Sequence, residues 1–214
     1  MAWHEIDCES FEPVDGSSTL SFNPYPWLGC PKHPCWPRGF PLNLIRETST
    51  HLVKIKKTKV LGNQVAVFQS LADHEPDVDA IHRMVMQTPW VFQKPIAKQS
   101  RPLVLPKGQF SPYNAQATLH NRNAFFALYL PISVNGRVSD IWRSYFAQAL
   151  FRLCNLKIGF MRRPLVVQDR NPHSYEADFE AELPLYRQTD RLITFLDEWS
   201  SSPQDKLAQH PMEY

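Results

Sequence analysis

The chain has 214 residues, 43% of them hydrophobic and 21% charged, which is enough for one domain with a real core in a globular composition. Its 23 Lys and Arg against 21 Asp and Glu leave a net charge of +2, too small for a nucleic-acid or membrane-binding surface to be argued from charge alone. The opening MAWHEIDCESFEPVDG has neither the basic nor the apolar region of a signal peptide, and no apolar run approaches the length of a membrane-spanning helix.

Nineteen prolines against seven glycines predict many stiff, ordered loops. Residues 1–35 carry little periodicity and read as coil with a short strand. NLIRET starts a strand or a short helix. HLVKIKKTKV alternates weakly and predicts a strand whose lysines form a solvated face. QVAVFQSLAD predicts a strand running into a polar turn. In DVDAIHRMV, Val78, Ile81 and Val85 fall on one helical face, with Asp77 or Asp79 near its N-terminus. KPIAKQSRPLVLPKGQFSPYNAQAT is proline-broken and extended, and NAFFALYLPISV is an apolar run that suits a buried helical turn or a strand. The clearest helix is SDIWRSYFAQALFRLCN, with an apolar stripe from Ile141 and Trp142 through Tyr145, Phe146, Ala149 and Leu150 to Leu153. Ser139 or Asp140 is expected to cap it and Asn155 to end it. LKIGFM and PLVVQ read as strands. TDRLITFLDEW reads as a second amphipathic helix with Leu192, Ile193, Leu196 and Trp199 inward. Residues 1–200 are expected to form a single mixed α/β unit and residues 201–214 a frayed tail.

Four cysteines are present, and Cys30 and Cys35 flank His33 in GCPKHPC. Zinc would need a second pair of ligands, which the sequence lacks. A local Cys30–Cys35 disulfide would suit a secretory lumen, but two ordinary loop thiols are the expectation.

Three clusters carry chemistry. Trp36-Pro37-Arg38-Gly39-Phe40-Pro41 is a stiff loop that holds one guanidinium in place. Arg38 can fork onto a phosphate or a carboxylate, or hydrogen-bond loop carbonyls. PDVDA places Asp77 and Asp79 two residues apart, where they can hold a hard cation or a sugar hydroxyl, or cap a helix. GRVSDIW sets Asp140 between Arg137 and Arg143 at a predicted helix start, where a carboxylate can orient an acceptor hydroxyl or serve as a cap. His173 lies in a polar loop and is either a surface residue or a weak metal ligand. Trp27, Trp36, Trp90 and Trp142 are core residues or a sugar-stacking platform.

In order and spacing, WPRGFPL, PDVDA, PYNAQATL and SDIWRSYFAQ resemble the STELLO-type glycosyltransferases over most of residues 20–200. More distantly they resemble the reversibly glycosylated polypeptides, which act as UDP-arabinopyranose mutases. The resemblance implies the C-terminal portion of a GT-A-like α/β unit, with a mixed sheet, flanking helices and proline-rich loops. It implies a nucleotide-sugar donor, a glycan or protein acceptor, a divalent manganese or magnesium ion and a Golgi lumen. On that basis Arg38 sits near the donor sugar or pyrophosphate, and the arginine of the similar RGYP loop in the mutases is associated with reversible sugar attachment. Asp140 is the acceptor-side carboxylate with Trp142 packed beside it. Asp77, Asp79, Trp36, Trp142 and Arg137 face substrate. The acidic DxD or DDD motif of such enzymes lies upstream of WPRGFPL, and the 35 residues before Trp36 contain none. The expectation is therefore a partial catalytic region without its nucleotide-binding first half. The alternative is a non-catalytic scaffold or partner of other Golgi glycosyltransferases.

Overall fold

The computed structural model describes residues 4–13, 20–30, 34–46, 53–86, 89–92, 101–106 and 108–201. In chain order the first element is strand β1, Glu5–Pro13, whose alternation serves two buried faces. Cys8 packs with Val60, Val65 and Val104 on one face of the sheet, and Phe11 enters the main core on the other. β2, Val53–Leu61, pairs antiparallel with β1, so that Lys57 and Lys59 lie opposite Glu9 and Asp7. Its lysines are exposed, as expected, and charge on an edge strand discourages pairing with other chains.

β3 (Val65–Gln69), β5 (Leu103–Val104), β6 (Thr118–His120) and β7 (Lys157–Phe160) complete a mixed six-stranded sheet of order β2-β1-β5-β7-β3-β6. β3 runs parallel to β7, and β5 runs parallel to β1. The expected polar turn after β3 contains a further short strand, β4 (Ala72–His74), which pairs parallel with β8 (Val166–Gln168) in a two-stranded sheet.

Helix α2, Gly136–Leu153, explains its wide apolar stripe by lying between two partners. Ala147 and Phe151 face the core over the sheet, while Val138, Ile141, Tyr145 and Ala149 face helix α3, Tyr175–Ser201. α2 begins earlier than expected. Asn135 is the cap, its side chain accepting the Arg137 N–H at 2.9 Å, so Asp140 stands in the second turn rather than at the end. Asn155, at φ 54°, ends the helix as expected. α3 is longer than TDRLITFLDEW because it continues through Pro184, which reads in a sequence as a break. Ile193 and Leu196 are inward as expected, with Leu192 and Trp199 packed partly buried beside them.

Two expectations about burial fail. NAFFALYLPISV overlaps a 3₁₀ helix, Arg122–Leu128, that buries Ala124 and Ala127, one turn of three residues apart. The large side chains therefore point outward, with Tyr129 77% and Ile132 92% exposed. In helix α1, Ala80–Val85, Val85 is exposed, whereas His82 and Arg83 are buried. Arg83 is accommodated by its ion pair with Glu75 and a hydrogen bond to the Pro76 carbonyl at 2.8 Å. The Cys30–Cys35 pair, expected as free thiols, forms a disulfide across a Cα separation of 6.6 Å, within ordinary bridging reach. The tail beyond Ser201 lies outside the described residues.

The 36–41 loop is packed rather than draped. Trp36 and Phe40 are buried, and Tyr145 of α2 donates to the Gly39 carbonyl at 2.9 Å. Gly39 adopts φ +78°, and a Cβ there would sit 2.3 Å from Ile141 Cγ2. Trp36 Nε1 donates to Asp79 Oδ2 at 2.6 Å, and Asp79 Oδ1 caps α1 by accepting the His82 N–H at 2.8 Å. Burial pushes the Asp79 carboxyl up from 3.8 to about 6, against the pull of these two hydrogen bonds.

Replacing Gly39 by Ala combines a left-handed backbone with overpacking against Ile141, and is expected to cost more than about 2 kcal/mol in urea denaturation. A change within about 0.5 kcal/mol, the range of an ordinary surface substitution, would show that the loop can move away from α2. Asp79 also makes a signed pH prediction. Between pH 3.8 and about 6 the folded chain holds a proton that the unfolded chain has released, so this group's contribution falls as pH rises through that window. The stability of the native chain relative to Asp79→Asn should therefore drop by on the order of 2 kcal/mol from pH 4 to 6.5 and then level off. A difference independent of pH would place the Asp79 carboxyl in its ordinary range.

Candidate functional site

Three segments far apart in sequence converge on the Arg38 guanidinium. The stiff loop delivers it, the turn before α1 supplies Asp77, and the first two turns of α2 supply Asp140 and the Arg137 carbonyl. Arg38 Nε donates to Asp77 Oδ1 at 2.9 Å and Nη2 to Asp77 Oδ2 at 3.2 Å. Nη2 also donates to Asp140 Oδ2 at 2.9 Å and Nη1 to Asp140 Oδ1 at 3.2 Å, while Nη1 reaches the Arg137 carbonyl as well. Arginine has five N–H donors, and these contacts employ all of them. The loop backbone is tied at the same point, the Arg38 N–H donating to the Asp77 carbonyl at 3.0 Å.

Burial opposes charge on both partners, but the opposite charges win. Arg38 is held protonated well above its ordinary range by Asp77 and Asp140, and Asp77 is held below its ordinary range chiefly by Arg38. The Arg38 and Asp77 side chains are 7% and 3% exposed, whereas Asp140 is 13% exposed and the most open of the three. Asp140 also accepts the Ala115 N–H of the PYNAQATL segment at 3.2 Å.

A second set of charges braces the first. Arg137 pairs with Glu182 and, at 3.3 Å, with Asp178, both on α3. Glu182 is fully buried and also accepts the Ala80 N–H at 2.8 Å and the Tyr186 hydroxyl. The Asn135 side-chain amide donates to the Ala181 carbonyl at 2.7 Å, so cap and charge together fix the start of α2 against α3. Arg170 approaches the same region, and burial and then Arg83 push its pKa below its ordinary value.

Arg38, Asp77, Asp140 and Arg137 are thus brought together. Asp79 and Trp36 lie next to them in a separate hydrogen bond. Asp77 and Asp79 diverge, one toward Arg38 and the other toward Trp36 and the α1 N-terminus. Trp142 leaves Asp140, two residues away and so on the other side of the helix, and packs into the α2–α3 cluster. His173 Nε2 pairs with Asp178 Oδ2 at 2.9 Å and its Nδ1 lies 3.1 Å from the Asn171 carbonyl. Among the described residues no three His, Cys, Asp or Glu converge to hold a metal ion. Glu182 and Tyr186 were not singled out from the sequence. Their signal was Asp178, Glu182 and Tyr186 recurring every four residues, a polar stripe on one face of an otherwise amphipathic helix.

The family pattern described as STELLO glycosyltransferases matches residues 137–212, starting at the residue whose carbonyl meets Arg38. "Probable glycosyltransferase STELLO2" from Arabidopsis thaliana is 30% identical over 185 residues, covering 84% of this chain and 23% of the relative. "Probable glycosyltransferase STELLO1" from the same plant is 30% identical over 184 residues, covering 84% of this chain and 22% of the relative. The chain therefore spans less than a quarter of the length of the curated relatives it matches. By sequence this chain is similar to the STELLO glycosyltransferases over most of its length, and the family pattern takes in Arg137 and Asp140 of the Arg38 cluster.

Proposed function

We propose that the chain forms the acceptor-side part of a glycosyltransferase catalytic region of GT-A-like design, acting on a nucleotide-sugar donor. The observation that carries this reading is the 30% identity with two STELLO proteins across 84% of the chain. Asp140 is the acceptor-facing carboxylate, since it is the more exposed of the two acids on Arg38. Arg38 positions it through two hydrogen bonds, and a carboxylate so placed can accept a hydrogen bond from an acceptor hydroxyl. In this reading the anion expected against Arg38 is the protein's own carboxylate pair, and the donor's pyrophosphate is held elsewhere. A divalent manganese or magnesium ion would supply charge neutralisation at that pyrophosphate, and the described residues do not group three ligands to hold one. The Cys30–Cys35 disulfide fits an oxidising compartment and supports a Golgi lumen.

The second reading is a non-catalytic partner of other Golgi glycosyltransferases. It is favoured by the saturation of Arg38, whose fork has no free donor to offer a substrate. The experiment that separates the two incubates the chain with a panel of UDP-sugars, manganese and oligosaccharide acceptors, and follows product by mass spectrometry. Sugar transfer that falls at least about tenfold in Asp140→Asn, a loss of about 1.4 kcal/mol of transition-state stabilisation, supports the enzyme. The variant's melting temperature is measured alongside. No transfer, with no UDP-sugar bound more tightly than about millimolar, assigns the chain to the partner role.

Arg38→Lys tests the positioning role. One ammonium cannot span two carboxylates and a carbonyl in a fork geometry, so this buried charge-conserving change is expected to cost about 3 kcal/mol or more in chemical denaturation. A variant as stable as the native chain would show that Arg38 is not the clamp described above.

A further inference from the structure

On the side of α2 away from α3 stands a second buried arginine in a different situation. Arg143 is 5% exposed. Its Nη2 donates to the Asn114 carbonyl at 3.3 Å, its guanidinium carbon lies 5.5 Å from the centre of the Tyr113 ring, and its Nε–H is buried without an acceptor. Among the described residues it has no carboxylate partner. Behind it, Tyr113 and His120 pack edge to face at 6.0 Å, and both the Tyr113 hydroxyl and His120 Nε2 are buried without hydrogen-bond partners. Burial, and then the Arg143 charge, lower the His120 pKa, so the imidazole stays neutral and does not add a second charge.

Arg143 forms part of the wall of a cleft of about 270 Å³ between α2 and the 3₁₀ segment. The rest of the wall is apolar and largely aromatic, with Phe126, Tyr129, Pro131, Phe146 and Leu150. Phe126 and Tyr129 are 45% and 77% exposed, so the cleft is open to solvent at its rim. A buried cation usually has a counter-ion, and flat aromatic walls favour a flat or ring-shaped body. The combination selects one ligand chemistry.

We propose that this cleft binds a small molecule carrying a carboxylate on a ring with an apolar face, the carboxylate meeting Arg143 and the ring lying against Phe126, Tyr129 and Phe146. The carbohydrate form of that chemistry is a uronic acid, and the non-carbohydrate form is an aromatic acid. The site is separate from the Arg38 cluster and does not depend on the chain transferring sugar.

The test uses the whole chain with no donor present. Glucuronic acid, glucose and benzoate are titrated separately, with binding read by saturation-transfer NMR and calorimetry. At least one of the two carboxylates is expected to bind at least about tenfold more tightly than glucose, which shares the sugar ring but lacks the charge. Preference for glucuronic acid assigns the sugar acid, and preference for benzoate assigns the aromatic acid. Arg143→Gln should remove that preference. Because Arg143 is buried, Tyr129→Ser is measured as well. That change lies on an exposed rim, should leave the melting temperature unchanged, and should weaken the bound carboxylate at least about threefold. The proposal is overturned if neither carboxylate binds below about 10 mM, if glucose binds as tightly as both, or if Tyr129→Ser leaves binding unchanged.

Discussion

The Arg38 guanidinium clamped between Asp77 and Asp140 is the constraint on which the arrangement of the other segments depends. Removing three charges from water is costly, and the cost is recovered only when every donor and acceptor meets a partner in good geometry. That condition can be met in one register only. The 36–41 loop must present the fork edge-on, the turn before α1 must bring Asp77 to one side, and α2 must start early enough for Asp140 to reach the other. The Arg137 carbonyl then falls within reach of the same Nη1. Arg137 in turn engages Glu182, which engages the first amide of α1, so the constraint passes from loop to helix to helix. Such a network adds little net stability over a packed apolar equivalent, but it makes partial assemblies expensive.

The stiffness of the loop acquires a local cause in this light. Pro37 and Pro41 restrict the chain on both sides, Gly39 supplies the left-handed turn against Ile141, and the disulfide just upstream anchors its start. Each device lowers the conformational freedom lost when Arg38 is fixed. The same devices fix the position of Asp140, whose carboxylate both Arg38 and the Ala115 N–H hold.

Much of this was legible in the sequence, and the failures have physical reasons. The strands β2, β3, β7 and β8, the body of α2 and the inward residues of the last helix all follow from periodicity. The residues that meet at the cluster were identified individually, because arginine and aspartate in proline-rich or helix-start contexts stand out. What could not be read was their pairing, since contacts between positions 38, 77 and 140 are matters of tertiary geometry. The start of α2 was misplaced because Asn135, Ser139 and Asp140 are all good caps, and only packing against α3 selects among them. The apolar run at 124–132 was misjudged because hydrophobicity alone does not distinguish a buried turn from a 3₁₀ segment that buries only its small residues. Pro184 hid the first half of α3.

The two buried arginines bordering α2 show how the same side chain serves opposite ends. Arg38 meets four carboxylate oxygens and a carbonyl, and a ligand could reach its fork only by displacing one of the two aspartates. Arg143, borne by α2 one turn beyond Asp140, meets one carbonyl and the face of a tyrosine. A cation–π contact and a neutral acceptor compensate a desolvated guanidinium less completely than a carboxylate does. The unspent electrostatic capacity of this helix is therefore at Arg143, on the face lined with exposed aromatic residues, while the saturated Arg38 holds the fold together. An architecture that satisfies one arginine fully and leaves its neighbour short of a counter-ion concentrates recognition of an anion at the second.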